Sequence, residues 1–181
     1  MRTLRANSTL TLTATVLAAV LVVANISSLN VALPELSREL GASQSDVQWM
    51  VDIYAFFLAS LLLPAGALGD KFGRRPMLLL GVTILCIANV ATLFTEHLDF
   101  IESNEARLVI AFRALSGFGA AFIFPATLST ITTTLPPEKK ERGVAIWTAS
   151  VFFGGLSGVL LSGALIAVSY THLTLPTNGT V

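Results

Sequence analysis

The sequence predicts an all-α membrane protein of about five transmembrane helices. Three observations carry this. Of 181 residues, 54% are hydrophobic and only 12% charged, half of the roughly 25% charged residues in a soluble domain. Mean hydropathy is +0.76, more apolar surface than one soluble core of this length can bury. The apolar residues fall in five runs, each near the roughly 20 residues that cross a bilayer core. Lys plus Arg and Asp plus Glu both number 11, so there is no bulk basic field to attract nucleic acid. The single cysteine, Cys86, lies in an apolar run and cannot form an internal disulfide, and two isolated histidines make a poor metal site. A lipid bilayer is the expected environment, with no cofactor, metal or nucleic-acid partner.

The first run extends from about Leu10 to Leu33, the second from Val47 to Leu68 and the third from Pro76 to Phe94. The fourth spans about Leu108 to Leu135, where Pro125 is expected to bend the helix, and the fifth about Val144 to Val168. The links Pro34 to Asp46, Gly69 to Arg75, Thr95 to Arg107 and Pro136 to Gly143 are too short to fold as domains. The first run has a second reading as a cleavable signal peptide, with Arg2 and Arg5 as its basic region and Val22 and Ala24 before the cut. Four spans remain on that reading.

Basic residues set the orientation, because cytoplasmic loops retain Lys and Arg. Arg2 and Arg5 precede the first run, Lys71, Arg74 and Arg75 follow the second, and Lys139, Lys140 and Arg142 follow the fourth. All fall on one side. The other side holds Arg38 and Arg107 among Glu35, Glu39, Asp46, Glu96, Asp99, Glu102 and Glu105. The N-terminus is therefore expected in the cytoplasm, with the chain in the plasma membrane. Trp49 and Trp147 open the second and fifth spans, which suits indoles at the headgroup level.

Inside the spans, Asn25, Ser28, Asn30, Asp52 and Arg113 are polar groups that lipid tolerates poorly. Asp52 stands three residues past Trp49, about 4 to 5 Å deeper. It either reaches back to the outer surface or faces a polar pathway as a proton carrier or counter-ion. Arg113 is flanked by apolar residues and is expected to turn inward, into a buried ion pair or a pathway. Below it Gly117, Gly119, Ala120 and Ala121 form a small-residue face, and Gly154, Gly155, Gly158 and Gly163 with Ser157 and Ser162 form another, each suited to close helix packing. Tyr54, Phe56 and Phe57 either offer ring faces to a cation or face lipid. The string GLSG at Gly155 to Gly158 resembles the nucleophile motif of rhomboid proteases, but His97 and His172 both lie outside the spans. No base is available to such a serine, and no enzyme is expected.

The link Gly66-Ala67-Leu68-Gly69-Asp70-Lys71-Phe72-Gly73-Arg74-Arg75 resembles motif A, GxLxDrxGRr, of the major facilitator superfamily. Glycines allow a tight turn there, and Asp70 can pair with Arg74 and Arg75 to hold the inner side closed until the pairs break. Val31 to Pro34 and Trp49 to Tyr54 resemble the fourteen-helix drug:proton antiporters that export quaternary-ammonium compounds. Arg113-Ala114-Leu115-Ser116-Gly117-Phe118-Gly119 resembles motif B, whose arginine is implicated in proton coupling, and Gly154, Gly158 and Gly163 match the glycine frame of motif C. The resemblance covers about Leu10 to Val168. It implies an incomplete N-terminal half of a major facilitator fold, with Asn25, Asn30, Asp52, Tyr54 and Arg113 along a substrate and proton pathway. The implied partners are an amphipathic cationic substrate, protons, and the C-terminal helices of a longer parent chain.

Departures from the pattern bear on coupling. Where these exporters usually have an acid, this chain has Asn25, which cannot titrate, leaving Asp52 as the one acid well inside a predicted span. Val159 and Ser162 stand where motif C has proline and glycine. Residues 169–181 are polar, uncharged and unlike the family's link after the fifth helix, and they resemble translated sequencing-adapter bases. The transporter region is therefore expected to be 1–168, the N-terminal fragment of a longer exporter, inactive alone. A small membrane-embedded packing or assembly protein is the alternative.

Overall fold

The computed structural model describes residues 8–95 and 105–173. The expectations for Arg2, Arg5, Glu96, His97, Asp99, Glu102, the His172 side chain and residues 174–181 lie outside the described residues. Within these, the chain forms five helices and no strand: α1 Ser8–Glu39, α2 Gln44–Phe72, α3 Arg74–Leu93, α4 Glu105–Thr134 and α5 Pro137–Leu173. Each contains a stretch with mean hydropathy of 1.8 to 2.2, long enough to cross a bilayer. In hydrocarbon every backbone group must bond within its own segment, and a helix meets that condition.

The helices outrun the apolar stretches, so the links are shorter than the hydropathy predicts. α1 continues through Pro34 and stops in a Schellman turn: Ala42 N–H donates to the Ser37 carbonyl (3.0 Å) and Gly41, at φ +55°, donates to Arg38 (3.3 Å). Ser43 then caps α2. Its hydroxyl accepts from the Asp46 N–H (3.2 Å) while the Asp46 carboxylate accepts from the Ser43 N–H (3.1 Å), a closed capping box. Between α2 and α3 the one non-helical residue is Gly73, at φ +98°, where a Cβ would be strained. Hydropathy marks where lipid ends, whereas helical hydrogen bonds carry on into the headgroups until a residue such as Gly41 or Gly73 stops them.

α4 is the central helix. Half of its most apolar stretch is buried, against 11–17% in the other four. It packs on α1, α2 and α3, while α5 packs chiefly on α1. Ala18, Val22, Tyr54, Leu85, Ala120 and Ile123, drawn from α1 to α4, make the core. Lipid supplies no hydrophobic drive between helices, so association depends on close van der Waals approach. A Cβ added at Gly119 would stand 2.8 Å from the Gly81 carbonyl oxygen, and one at Gly154 would stand 2.9 Å from that of Val20. Along α5, Gly154, Gly158 and Ser162 meet Val20, Ala24 and Ser28 in ascending order, so α1 and α5 run parallel. Ser162 closes this seam by donating to the Ser28 carbonyl (3.1 Å).

Trp147 is tied to α4. Because α5 begins at Pro137, Trp147 lies about 15 Å along the helix. Its indole N–H donates to the Thr127 hydroxyl (3.1 Å) and its ring packs edge-on to Phe124. Trp49 is 53% exposed.

Candidate functional site

Two polar constellations join the helices, one at the α2–α3 turn and one deep in the bundle. At the turn, Asp70 and Arg74 pair across one helical turn spacing (3.2 Å). The Arg74 guanidinium also donates to the Ser129 carbonyl and the Thr133 hydroxyl of α4, both at 2.7 Å. A cleft of about 160 Å³ opens beside them, lined by Gly66, Gly69, Asp70, Arg74, Pro125 and Ser129. Arg74 thus ties the ion pair to the central helix. Arg75 is exposed.

The deep constellation centres on Arg113, 5% exposed. Its Nη1 donates to Asn25 Oδ1 (2.7 Å), its Nε donates to the Met50 carbonyl (3.2 Å), and its guanidinium carbon sits 4.4 Å from the centre of the Tyr54 ring. Tyr54 in turn donates its hydroxyl to the Val22 carbonyl (3.2 Å). Asn25 donates its amide N–H to Asn89 Oδ1, and Asn89 donates to the Leu85 carbonyl (2.8 Å). α1, α2, α3 and α4 thus meet through one buried arginine. Its partners are an amide oxygen, a backbone carbonyl and a ring face, all neutral, in place of the carboxylate that a buried ion pair would require.

Of the expected pathway residues, the structure brings together Asn25, Tyr54 and Arg113. It leaves Asn30 and Asp52 apart, both exposed. Asp52 shares its side of α2 with the exposed Phe56, four residues on. Tyr54 is 1% exposed and its ring face already carries the Arg113 cation, so it cannot offer that face to a ligand. Among the packing glycines, Gly117 lies against the Tyr54 backbone, Gly119 against Gly81, and Gly154 and Gly158 against α1. Gly163 meets no helix among the described residues: a Cβ there would have nothing within 4 Å. Spacing explains this, since 154, 158 and 162 recur every four residues and Gly163 is one step off that face. Sequence reasoning missed Asn89. The available signal was an amide in the middle of the third apolar run, a group that must find a partner in lipid.

The model of the Major Facilitator Superfamily matches residues 15–175. The chain belongs to this superfamily. Among curated superfamily relatives, the methyl viologen resistance protein SmvA of Salmonella typhimurium is 38% identical over 89% of this chain and 31% of its own length. The tetracenomycin C resistance and export protein of Streptomyces glaucescens is 30% identical over 86% of this chain and 28% of its own. The multidrug efflux pump LfrA of Mycolicibacterium smegmatis is 32% identical over 75% and 25%. The chain thus spans about a third or less of the curated relatives it matches. The crystal structure of a bacterial homologue of the lysosomal transporter Spinster superposes with a TM-score of 0.74 at 22% identity, over 91% of this chain and 33% of that one. The major facilitator fold is shared, and the superfamily consists of multi-pass membrane transporters, not enzymes.

Proposed function

We propose that this chain supplies the N-terminal helices of a longer plasma-membrane exporter that moves amphipathic organic cations outward against inward proton flow, its N-terminus in the cytoplasm. The observation that carries this reading is the likeness, over most of the chain, to proteins named for drug resistance and efflux. Methyl viologen is a divalent organic cation, and Asp52 with Phe56 on the open side of α2 presents a carboxylate and a ring to such a ligand. Arg74 and Asp70 hold the cytoplasmic end closed in one state and part in the other.

Export of methyl viologen by the full-length transporter in everted vesicles is expected to stop when a protonophore collapses the gradient. Export unaffected by the protonophore would count against antiport. Asp52→Asn is expected to cut export of divalent cations about tenfold while costing monovalent ones about threefold or less, because a second ligand charge gains most from a nearby carboxylate. Equal losses would make Asp52 a proton-coupling or folding residue and not a ligand contact. Residues 1–181 expressed alone are expected to insert yet give no gradient-dependent export, since a major facilitator pathway lies between two repeats. Sustained export by residues 1–181, with host pumps deleted, would favour a small transporter acting as an oligomer.

A further inference from the structure

The geometry points to Asn89 as a positioning residue that fixes the Arg113 guanidinium through Asn25. Donor counting sets the orientation of each amide. An arginine side chain has only donors, so Asn25 must turn its oxygen toward Arg113, as it does. That leaves the half-buried Asn25 NH₂ group needing an acceptor. Asn89 Oδ1 provides it, and the Asn89 NH₂ group is satisfied in turn by the Leu85 carbonyl of its own helix. Every bond in the relay from Arg113 to Leu85 points the same way, so the amide orientations are determined by the arginine at one end and a helix carbonyl at the other. Removing the Asn89 oxygen takes away the one protein acceptor seen for the Asn25 NH₂ group among the described residues. Without that acceptor nothing fixes the Asn25 amide from the α3 side, so its oxygen is held less firmly on the guanidinium.

This inference rests on the export reading only for its transport readout. In the full-length transporter, Asn89→Leu is expected to lower the maximal rate of methyl viologen export about tenfold, the scale of one lost side-chain hydrogen bond in the relay, with KM changed less than twofold. Asn25→Asp is the diagnostic background, because a carboxylate has no N–H to satisfy and can take the guanidinium bidentately. There the same Asn89→Leu change is expected to cost less than twofold. Equal losses in the wild-type and Asn25→Asp backgrounds would show that Asn89 acts independently and overturn the inference. If Asn89→Leu fails to reach the membrane, Asn89→Ala removes the same acceptor with less bulk and enters the same cycle. Melting midpoints of the four purified variants need no substrate. A wild type that exports nothing would thus sink the export reading, while suppression of the Asn89→Leu shift by Asn25→Asp would still support the relay and additive shifts would still refute it.

Discussion

Gly117→Leu is expected to abolish export by the full-length transporter, by at least about 100-fold, and to destabilise the protein by about 1 to 3 kcal/mol, the usual scale of overpacking. A Cβ at this position would stand 3.0 Å from the Tyr54 Cα and 3.1 Å from the Phe57 Cβ, and it meets the Tyr54 carbonyl oxygen. Those are mostly backbone atoms, and no rotamer change relieves them. α2 and α4 must separate, which draws the Met50 carbonyl and the Tyr54 ring away from Arg113 and so combines a packing loss with a polar one. Gly163→Leu is the control. Nothing among the described residues lies within 4 Å of its Cβ, so as far as these five helices decide it is expected to stay within about 0.5 kcal/mol of wild type. Melting of purified transporter together with vesicle export checks both, and a Gly117→Leu protein with normal melting would show that α2 and α4 tolerate the added bulk.

Arg113→Leu is expected to divide function from stability. Removing the arginine forfeits two hydrogen bonds from a charged group, worth about 1.5 to 3 kcal/mol each, and a desolvated contact with a ring worth about 2 kcal/mol. It also removes a cation whose placement in the membrane interior costs at least about 2.5 kcal/mol and up to about 10 or more, with no carboxylate here to offset that cost. The two sides nearly cancel, so the melting shift is expected to correspond to less than about 2 kcal/mol in either direction, while gradient-driven export falls by more than about 100-fold. Arg113→Lys keeps the charge but loses the fork that reaches Asn25 and Met50 at once, and an intermediate rate is expected. Complete unfolding of Arg113→Leu would show that the arginine is a structural post and not a group tolerated for what it does.

The number of helices, their order and their approximate positions were legible, because an excess of apolar residues in five runs leaves a chain few other forms. The helix ends were not, since Pro34 and the polar residues around it continue a helix that hydropathy assigns to a link. Asn25 and Arg113 were each recognisable as groups that lipid tolerates poorly. Their pairing was not, because a periodic helix reveals which residues share a face but not which helix that face meets. Tyr54 illustrates the same limit: its ring was readable as a cation site, and the cation it holds is one from the protein itself. In α5 the glycine-rich frame was visible, yet only the four-residue register against α1 separates Gly154 and Gly158 from Gly163.

The parallel seam of α1 with α5 also constrains how the protein is made. Ser28 and Ser162 bond across a separation of 134 residues, and a ribosome adding about 5 to 20 residues per second needs roughly 7 to 27 seconds to synthesise that interval. Throughout it, α1 has left the ribosome without its main partner, and the Val20, Ala24 and Ser28 side lies open to lipid or to the insertion machinery. α1 must therefore enter the membrane on its own apolarity, which at a mean hydropathy of 2.2 is the highest of the five helices. The neighbouring helices α3 and α4 can pair as soon as both are made, whereas α1 must wait for α5.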